Sequence, residues 1–124
     1  MSIKDWNVLV VEDEADSLEL VVDLLNHFGI RAVGVPTAED AIDVLQDIKP
    51  TLIVTDLALP NMSGWGLLEH IQKDSKLSRI PRVAITAYHN ATLAQKAIEA
   101  GFDAYFAKPL DATSFVRELE NLVE

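Results

Sequence analysis

NVLVVEDE, residues 7–14, runs a block of valine and leucine straight into three acids. A block that short and that rich in valine reads as a buried β-strand, here Asn7–Val11. The acids then fall where the strand ends. The same construction recurs down the chain. LIVT (52–55) runs into Asp56, RVAIT (82–86) ends on Thr86, and AYFA (104–107) runs into Lys108. RAVGV (31–35) supplies a fifth strand. Strand ends are where an α/β sheet builds its sites. Glu12, Asp13 and Asp56 facing one lysine suit a cation and a transferable anion, and they serve no purpose as packing.

Amphipathic stretches separate the strands. Leu18, Val21, Val22, Leu25 and Phe28 recur at helix spacing, and Gly29 supplies the stop. Thr37 opens a second helix with the stripe Ala41, Ile42, Leu45 and Ile48, closed by Pro50. A third starts near Ser63–Gly64 and packs through Leu67, Leu68 and Ile71. A fourth covers roughly Thr92 to Ala100 and stops at Gly101. The last begins at Asp111, a good N-cap, and buries Phe115, Leu119, Leu122 and Val123. This (βα)5 alternation predicts a doubly wound α/β fold of the flavodoxin-like class. Its five-stranded parallel sheet has order 2-1-3-4-5, with right-handed crossovers and helices on both faces. From Asp13 the strand ends fall at Val35, Asp56, Thr86 and Lys108, at intervals of 22, 21, 30 and 22 residues. Each interval holds one helix and one returning strand. Strands one and three flank the switch point, which sets Asp13 beside Asp56.

Length and composition agree with one domain over 1–124, its core about 6–124. Half of the residues are hydrophobic, and no apolar run approaches the ~18 residues of a membrane span. The N-terminus is unlike a secretory signal, and there is no cysteine, so disulfides and thiolate metal sites are excluded. A cytoplasmic protein is expected. The net charge of −10 would repel phosphate backbones, which argues against direct nucleic-acid binding.

Electrostatics then narrows the site. Two bare carboxylates ~4 Å apart repel by ~4 kcal/mol at an effective dielectric of ~20. Three acids converging on Lys108 therefore require a further cation. All-oxygen donors with retained water favour Mg2+, and the scattered His27, His70 and His89 disfavour Zn2+. Asp13 would bind the metal directly, Glu12 directly or through water, and Asp56 and the Ala58 backbone carbonyl would complete the protein ligands. A metal and a lysine beside Asp56 also neutralise an incoming phosphoryl group, so Asp56 can act as an in-line nucleophile. Lys108 would hold a phosphoryl oxygen and the Thr86 hydroxyl another, with the small Ala87 leaving room.

VVEDE (10–14), TDLALPNMSG (55–64), TAY (86–88) and KP (108–109) together resemble the receiver domain of two-component response regulators. The resemblance runs from about Trp6 to the C-terminus, and four motifs in order at strand ends are specific. It implies that Asp56 accepts a phosphoryl group from a sensor histidine kinase or a histidine phosphotransfer protein, with Mg2+. It implies that the domain assists both phosphorylation and hydrolysis, as a signalling switch rather than an enzyme for a foreign substrate. Thr86 would swing toward the phosphoryl group, Tyr105 would turn inward, and the helix 4–strand 5–helix 5 face would change shape. The Lys108–Pro109 peptide would be cis. With no separate output domain, the message would leave through a downstream effector protein or a phosphorelay. A monomer is expected, with dimerisation on activation left open.

Three other readings compete. A Mg2+-dependent hydrolase with an aspartyl nucleophile commonly carries a second Asp two residues on, but position 58 is alanine. A flavin-binding module would need a phosphate at the loop after strand one, where Glu12-Asp13-Glu14 repels it. A receiver-like interaction module that is never phosphorylated would have no need of the intact acid and lysine set.

Overall fold

The structure, a computed structural model, describes residues 2–123. Its strands are β1 (Asn7–Val11), β2 (Arg31–Val35), β3 (Leu52–Asp56), β4 (Arg82–Thr86) and β5 (Ala104–Ala107). They form one parallel sheet in the order β2-β1-β3-β4-β5. The helices are α1 (Ala15–His27), α2 (Ala38–Asp47), α3 (Gly64–Lys73), α4 (Ala91–Ala100) and α5 (Ala112–Leu122). A short 3-10 turn, Ile3–Asp5, precedes β1. No helix among the described residues is long and apolar enough to cross a membrane.

Side chains alternate across the sheet and so divide the core in two. Val8 and Val10 of β1 face Val21 and Leu25 of α1 and Phe115 and Leu119 of α5. Leu9 and Val11 face Ala41 and Leu45 of α2 and Leu67 and Ile71 of α3. Each such aliphatic side chain contributes roughly 1.5–3 kcal/mol by leaving water. A smaller cluster, Leu57, Leu68, Ala84, Ala97 and Phe102, fills the space under α4, with Tyr105 packed at its margin.

Helix starts are set by side-chain caps. Thr37 accepts from the Asp40 amide, Ser63 from Gly66, Asn90 from Leu93 and Asp111 from Ser114. Glu14 caps α1, its carboxylate accepting from the Asp16 and Ser17 amides. Gly29 ends α1 with φ at 80°, a conformation that costs glycine nothing.

The structure departs from the sequence reading at several boundaries. β3 runs one residue further, so Asp56 is its last residue rather than the first of a loop. Asn90 caps α4, which therefore starts at Ala91 and not at Thr92. Ile48 falls outside α2 with extended backbone, two residues before Pro50, whose missing N–H could not continue the helix. Burial on both faces holds for β1, β3 and β4 but not at the sheet edges. β2 leaves Arg31, Val33 and Gly34 exposed, and every residue of β5 is only half-buried. Edge strands have a neighbour on one side alone, which hydrophobic content does not disclose.

Candidate functional site

Register decides which side chains meet. Val11 of β1 lies beside Thr55 of β3, so Glu12 and Asp56 leave adjacent strands one residue later. Thr86 pairs with Ala107, which puts Lys108 one step past the Thr86 strand end. The Lys108 amide donates to the Thr86 carbonyl at 2.9 Å, and the Lys108–Pro109 peptide is cis.

Lys108 Nζ bridges the two buried acids. It donates to Asp56 Oδ2 at 2.7 Å and to Glu12 Oε1. Glu12 and Asp56 are only 1% and 5% exposed, so both carboxylates depend on protein donors. Glu12 also accepts from the Ser17 hydroxyl at 2.8 Å and the Glu14 amide at 3.3 Å. Asp56 Oδ1 accepts the Ala58 amide at 2.9 Å.

The two acids differ in consequence. Burial pushes the Asp56 carboxyl above its ordinary value; the Lys108 and Ala58 donors only partly oppose this, and the Glu12 charge adds to it. Burial acts the same way on Glu12, but there the Lys108 and Ser17 hydrogen bonds win and hold the carboxyl low. Burial would lower Lys108; its two carboxylate partners outweigh that and raise it. Glu12 is thus a settled ion-pair partner. Asp56 is the strained member, because burial weighs against its charge more than its donors offset.

The other expected residues stand nearby in different states. Asp13 is exposed, and its side chain makes no hydrogen bond or ion pair among the described residues. Ala58 is exposed, two residues past Asp56. The buried Thr86 hydroxyl accepts the Tyr88 amide at 3.0 Å rather than meeting Asp56 or Lys108. Tyr105 is half-buried, with its hydroxyl 3.2 Å from His89 Nδ1.

Three supports were not evident in the sequence reading. Ser17 lies in the first turn of α1 and reaches back to Glu12, and only the strand–helix angle brings it there. Glu39 Oε2 accepts the Met62 amide at 3.2 Å and so ties the loop after β3 to α2. Gly64, read as a helix starter, also lets α3 press against the Asp56 backbone. A Cβ at Gly64 would be driven into the Asp56 carbonyl oxygen and would lie 2.9 Å from Leu57 Cα. Gly64→Ala is therefore expected to cost about 1–3 kcal/mol in chemical denaturation. An unchanged midpoint would show that the loop relaxes freely.

The donor set fits a hard divalent cation. Two buried carboxylates, Glu12 and Asp56, share a single ammonium, and their donors are all oxygen. No three acid, histidine or cysteine side chains among the described residues form a ready metal cage. Mg2+ keeps several waters and takes one or two carboxylates.

The chain can be set against known proteins on this footing. The family model described as the response regulator receiver domain matches residues 8–120. An uncharacterised 14.6 kDa protein of Leptolyngbya boryana is 31% identical, covering 94% of this chain and 88% of its own length. The polar-differentiation response regulator DivK of Brucella anthropi is 27% identical, over 93% of this chain and 94% of that one. Among solved structures, the chemotaxis response regulator CheY4 of Vibrio cholerae superposes with a TM-score of 0.87 at 19% identity, covering 95% and 98%. The receiver domain of the sensor histidine kinase PA1611 of Pseudomonas aeruginosa superposes at 0.86 with 24% identity, covering 94% and 96%. That structure holds a magnesium ion in its active-site cleft. With its strand order, its register and a family match over nearly its whole length, this chain belongs to the response regulator receiver domains of two-component systems.

Proposed function

We propose that the domain accepts a phosphoryl group on Asp56 and uses it to reshape a surface read by a partner protein. One observation carries this reading. Asp56 is a buried carboxylate at a strand end, with a lysine on one oxygen and a backbone amide on the other. Forming the acyl phosphate removes the carboxylate charge from its buried position and places the charge on the phosphoryl oxygens instead.

In the transfer, an Asp56 carboxylate oxygen attacks the phosphorus of a phosphohistidine on a sensor kinase or phosphotransfer protein. The O–P bond forms as the P–N bond breaks, and the leaving imidazole nitrogen keeps the electron pair and gains a proton from solvent. Lys108 exchanges its Asp56 bond for a phosphoryl oxygen and holds it as a point charge. Asp13, Glu12, Asp56 and the Ala58 carbonyl are the groups that would hold Mg2+. When bound, that ion neutralises phosphoryl charge and orients the group in line. Hydrolysis reverses the occupancy, as water attacks phosphorus and Asp56 leaves as carboxylate.

The output step starts at Thr86. Its hydroxyl gives up the Tyr88 amide and donates to a phosphoryl oxygen, while Tyr105 turns inward and the α4–β5–α5 face changes. The phosphoryl group thereby supplies differential contacts to one of two packings.

A donor protein also has a place to dock. An open groove of about 780 Å3 beside Lys108 is lined by Leu20, Leu24, Phe28, Pro109 and Leu110 together with Glu14, Asp16 and Asp23. It shares Ser17 and Lys108 with the site, and its mix of apolar and acidic residues suits an apolar helix with basic flanks.

Acetyl phosphate with Mg2+ tests the chemistry without a kinase. One phosphoryl group per chain is expected by intact-protein mass spectrometry, and little or none when Mg2+ is chelated. A chain that stays unmodified at saturating donor would overturn the proposal.

A further inference from the structure

The loop joining β4 to α4, residues 87–90, touches three things in succession. The Tyr88 amide donates to the Thr86 hydroxyl at 3.0 Å. The His89 ring lies against the Tyr105 ring, centroids 5.5 Å apart and tilted 38°, with Nδ1 3.2 Å from the Tyr105 hydroxyl. Asn90 caps α4 by accepting the Leu93 amide at 2.8 Å. One short loop thus connects the strand-end hydroxyl, the β5 aromatic and the start of a helix.

His89 itself is exposed and belongs to no core cluster, so packing gives it little reason to hold this pose. Tyr105 is anchored differently. Its ring packs on the cluster of Leu57, Leu68, Ala84, Ala97 and Phe102, while its hydroxyl points out to His89. The hydroxyl is what an inward turn would have to withdraw. With His89 protonated on Nε2, its Nδ1 is an acceptor and the Tyr105 O–H can donate to it.

We infer that His89 is a positioning residue, a latch whose Nδ1 accepts the Tyr105 O–H and holds Tyr105 outward in the unphosphorylated domain. The inference rests on the phosphoryl-switch reading above. It adds that the resting position of Tyr105 is actively held. Because the latch and the Thr86–Tyr88 bond lie on adjacent residues, drawing Thr86 toward a phosphoryl group pulls on the backbone that carries His89. Releasing one contact then loosens the other, and Tyr105 and the α4 cap respond together. A single partly exposed hydrogen bond sets a population ratio of about threefold, enough to tune a switch without locking it.

The chain has two tyrosines, so fluorotyrosine labelling gives two 19F resonances, assigned with Tyr88→Phe. His89→Phe keeps a ring but no acceptor, whereas His89→Asn places an amide oxygen close to where Nδ1 stood. In unphosphorylated protein, His89→Phe is expected to move the Tyr105 resonance and His89→Asn to leave it near wild type. Uptake from acetyl phosphate should accelerate about threefold in His89→Phe and return toward wild type in His89→Asn. An unmoved Tyr105 resonance in His89→Phe, equal effects of the two variants, or an unchanged uptake rate would each overturn the latch. If wild type itself takes up no phosphate, the phosphoryl reading falls, while the resonance comparison still decides whether His89 holds Tyr105.

Discussion

Asp56→Asn is expected to take up no phosphoryl group from acetyl phosphate and Mg2+, while unfolding at a higher denaturant concentration than wild type. The loss of uptake is complete because an amide oxygen is not a competent nucleophile. The gain in stability, about 0.5–2 kcal/mol without metal, follows from removing a charge that the fold holds at a cost. Its pH dependence has a definite sign. The folded carboxyl titrates above its ordinary 3.8, so the native state binds the proton more tightly than the unfolded chain. The Asp56 contribution to stability is favourable below that ordinary value and is lost as pH rises through the raised folded value. The advantage of Asp56→Asn should therefore be largest near neutrality and shrink as pH falls through the carboxylate range. Denaturation curves at a series of pH values check this. An advantage that is absent at pH 7, or grows in acid, would contradict the account of Asp56 as the strained member of the pair.

Lys108→Ala should do the opposite. It leaves Glu12 and Asp56, both buried, facing each other without their common donor. Breaking a buried ion pair from one side destabilises by about 3 kcal/mol or more, because the remaining charge keeps its desolvation penalty. Here proton uptake limits the loss, since two adjacent carboxylates can share one proton. The deficit is thus expected to be greatest at neutral pH and to narrow on acidification. Mg2+ should recover part of it by mass action, as the acids that would hold the ion remain. The phosphorylated variant, by contrast, should not transmit. Without the ammonium on its phosphoryl oxygen, Tyr105 and the α4–β5–α5 face stay in the resting arrangement. Normal partner binding by phosphorylated Lys108→Ala would remove Lys108 from the switch.

How far these statements could be read from the chain varies with the kind of contact. Valine-rich blocks, each ending on a polar residue, are enough to place β1, β3 and β4, because burial on both faces leaves a continuous apolar run. The strand order is the one expected of the (βα)5 alternation, and with it Glu12 and Asp56 meet Lys108. Asp13, expected beside Asp56, stays exposed without a side-chain partner among the described residues. Contacts made at an angle to the chain are another matter. Ser17 reaches Glu12 only because α1 leaves β1 by a tight turn, and no spacing rule marks that serine. The approach of Gly64 to the Asp56 carbonyl needs the α3 docking angle, so a glycine before a helix reads as an ordinary start. His89 is the sharpest case. As a lone histidine in a loop it carries no pattern, and its importance appears only with Tyr105 in place from a strand 16 residues away. The edges of the sheet were also illegible, since Val33 and Tyr105 look as buried in sequence as Val10 or Val54 do.

The most direct measurement identifies the atom that carries the phosphate. An acyl phosphate, unlike a phosphate ester or phosphoramidate, is reduced by borohydride to an alcohol, so a phosphorylated aspartate becomes homoserine. Wild-type protein treated with acetyl phosphate and Mg2+, reduced, digested and sequenced by mass spectrometry should show homoserine at position 56 and at no other aspartate. Homoserine at Asp13 instead, or a stable phosphate on serine or histidine with Asp56 intact, would contradict the assignment of Asp56 as the acceptor.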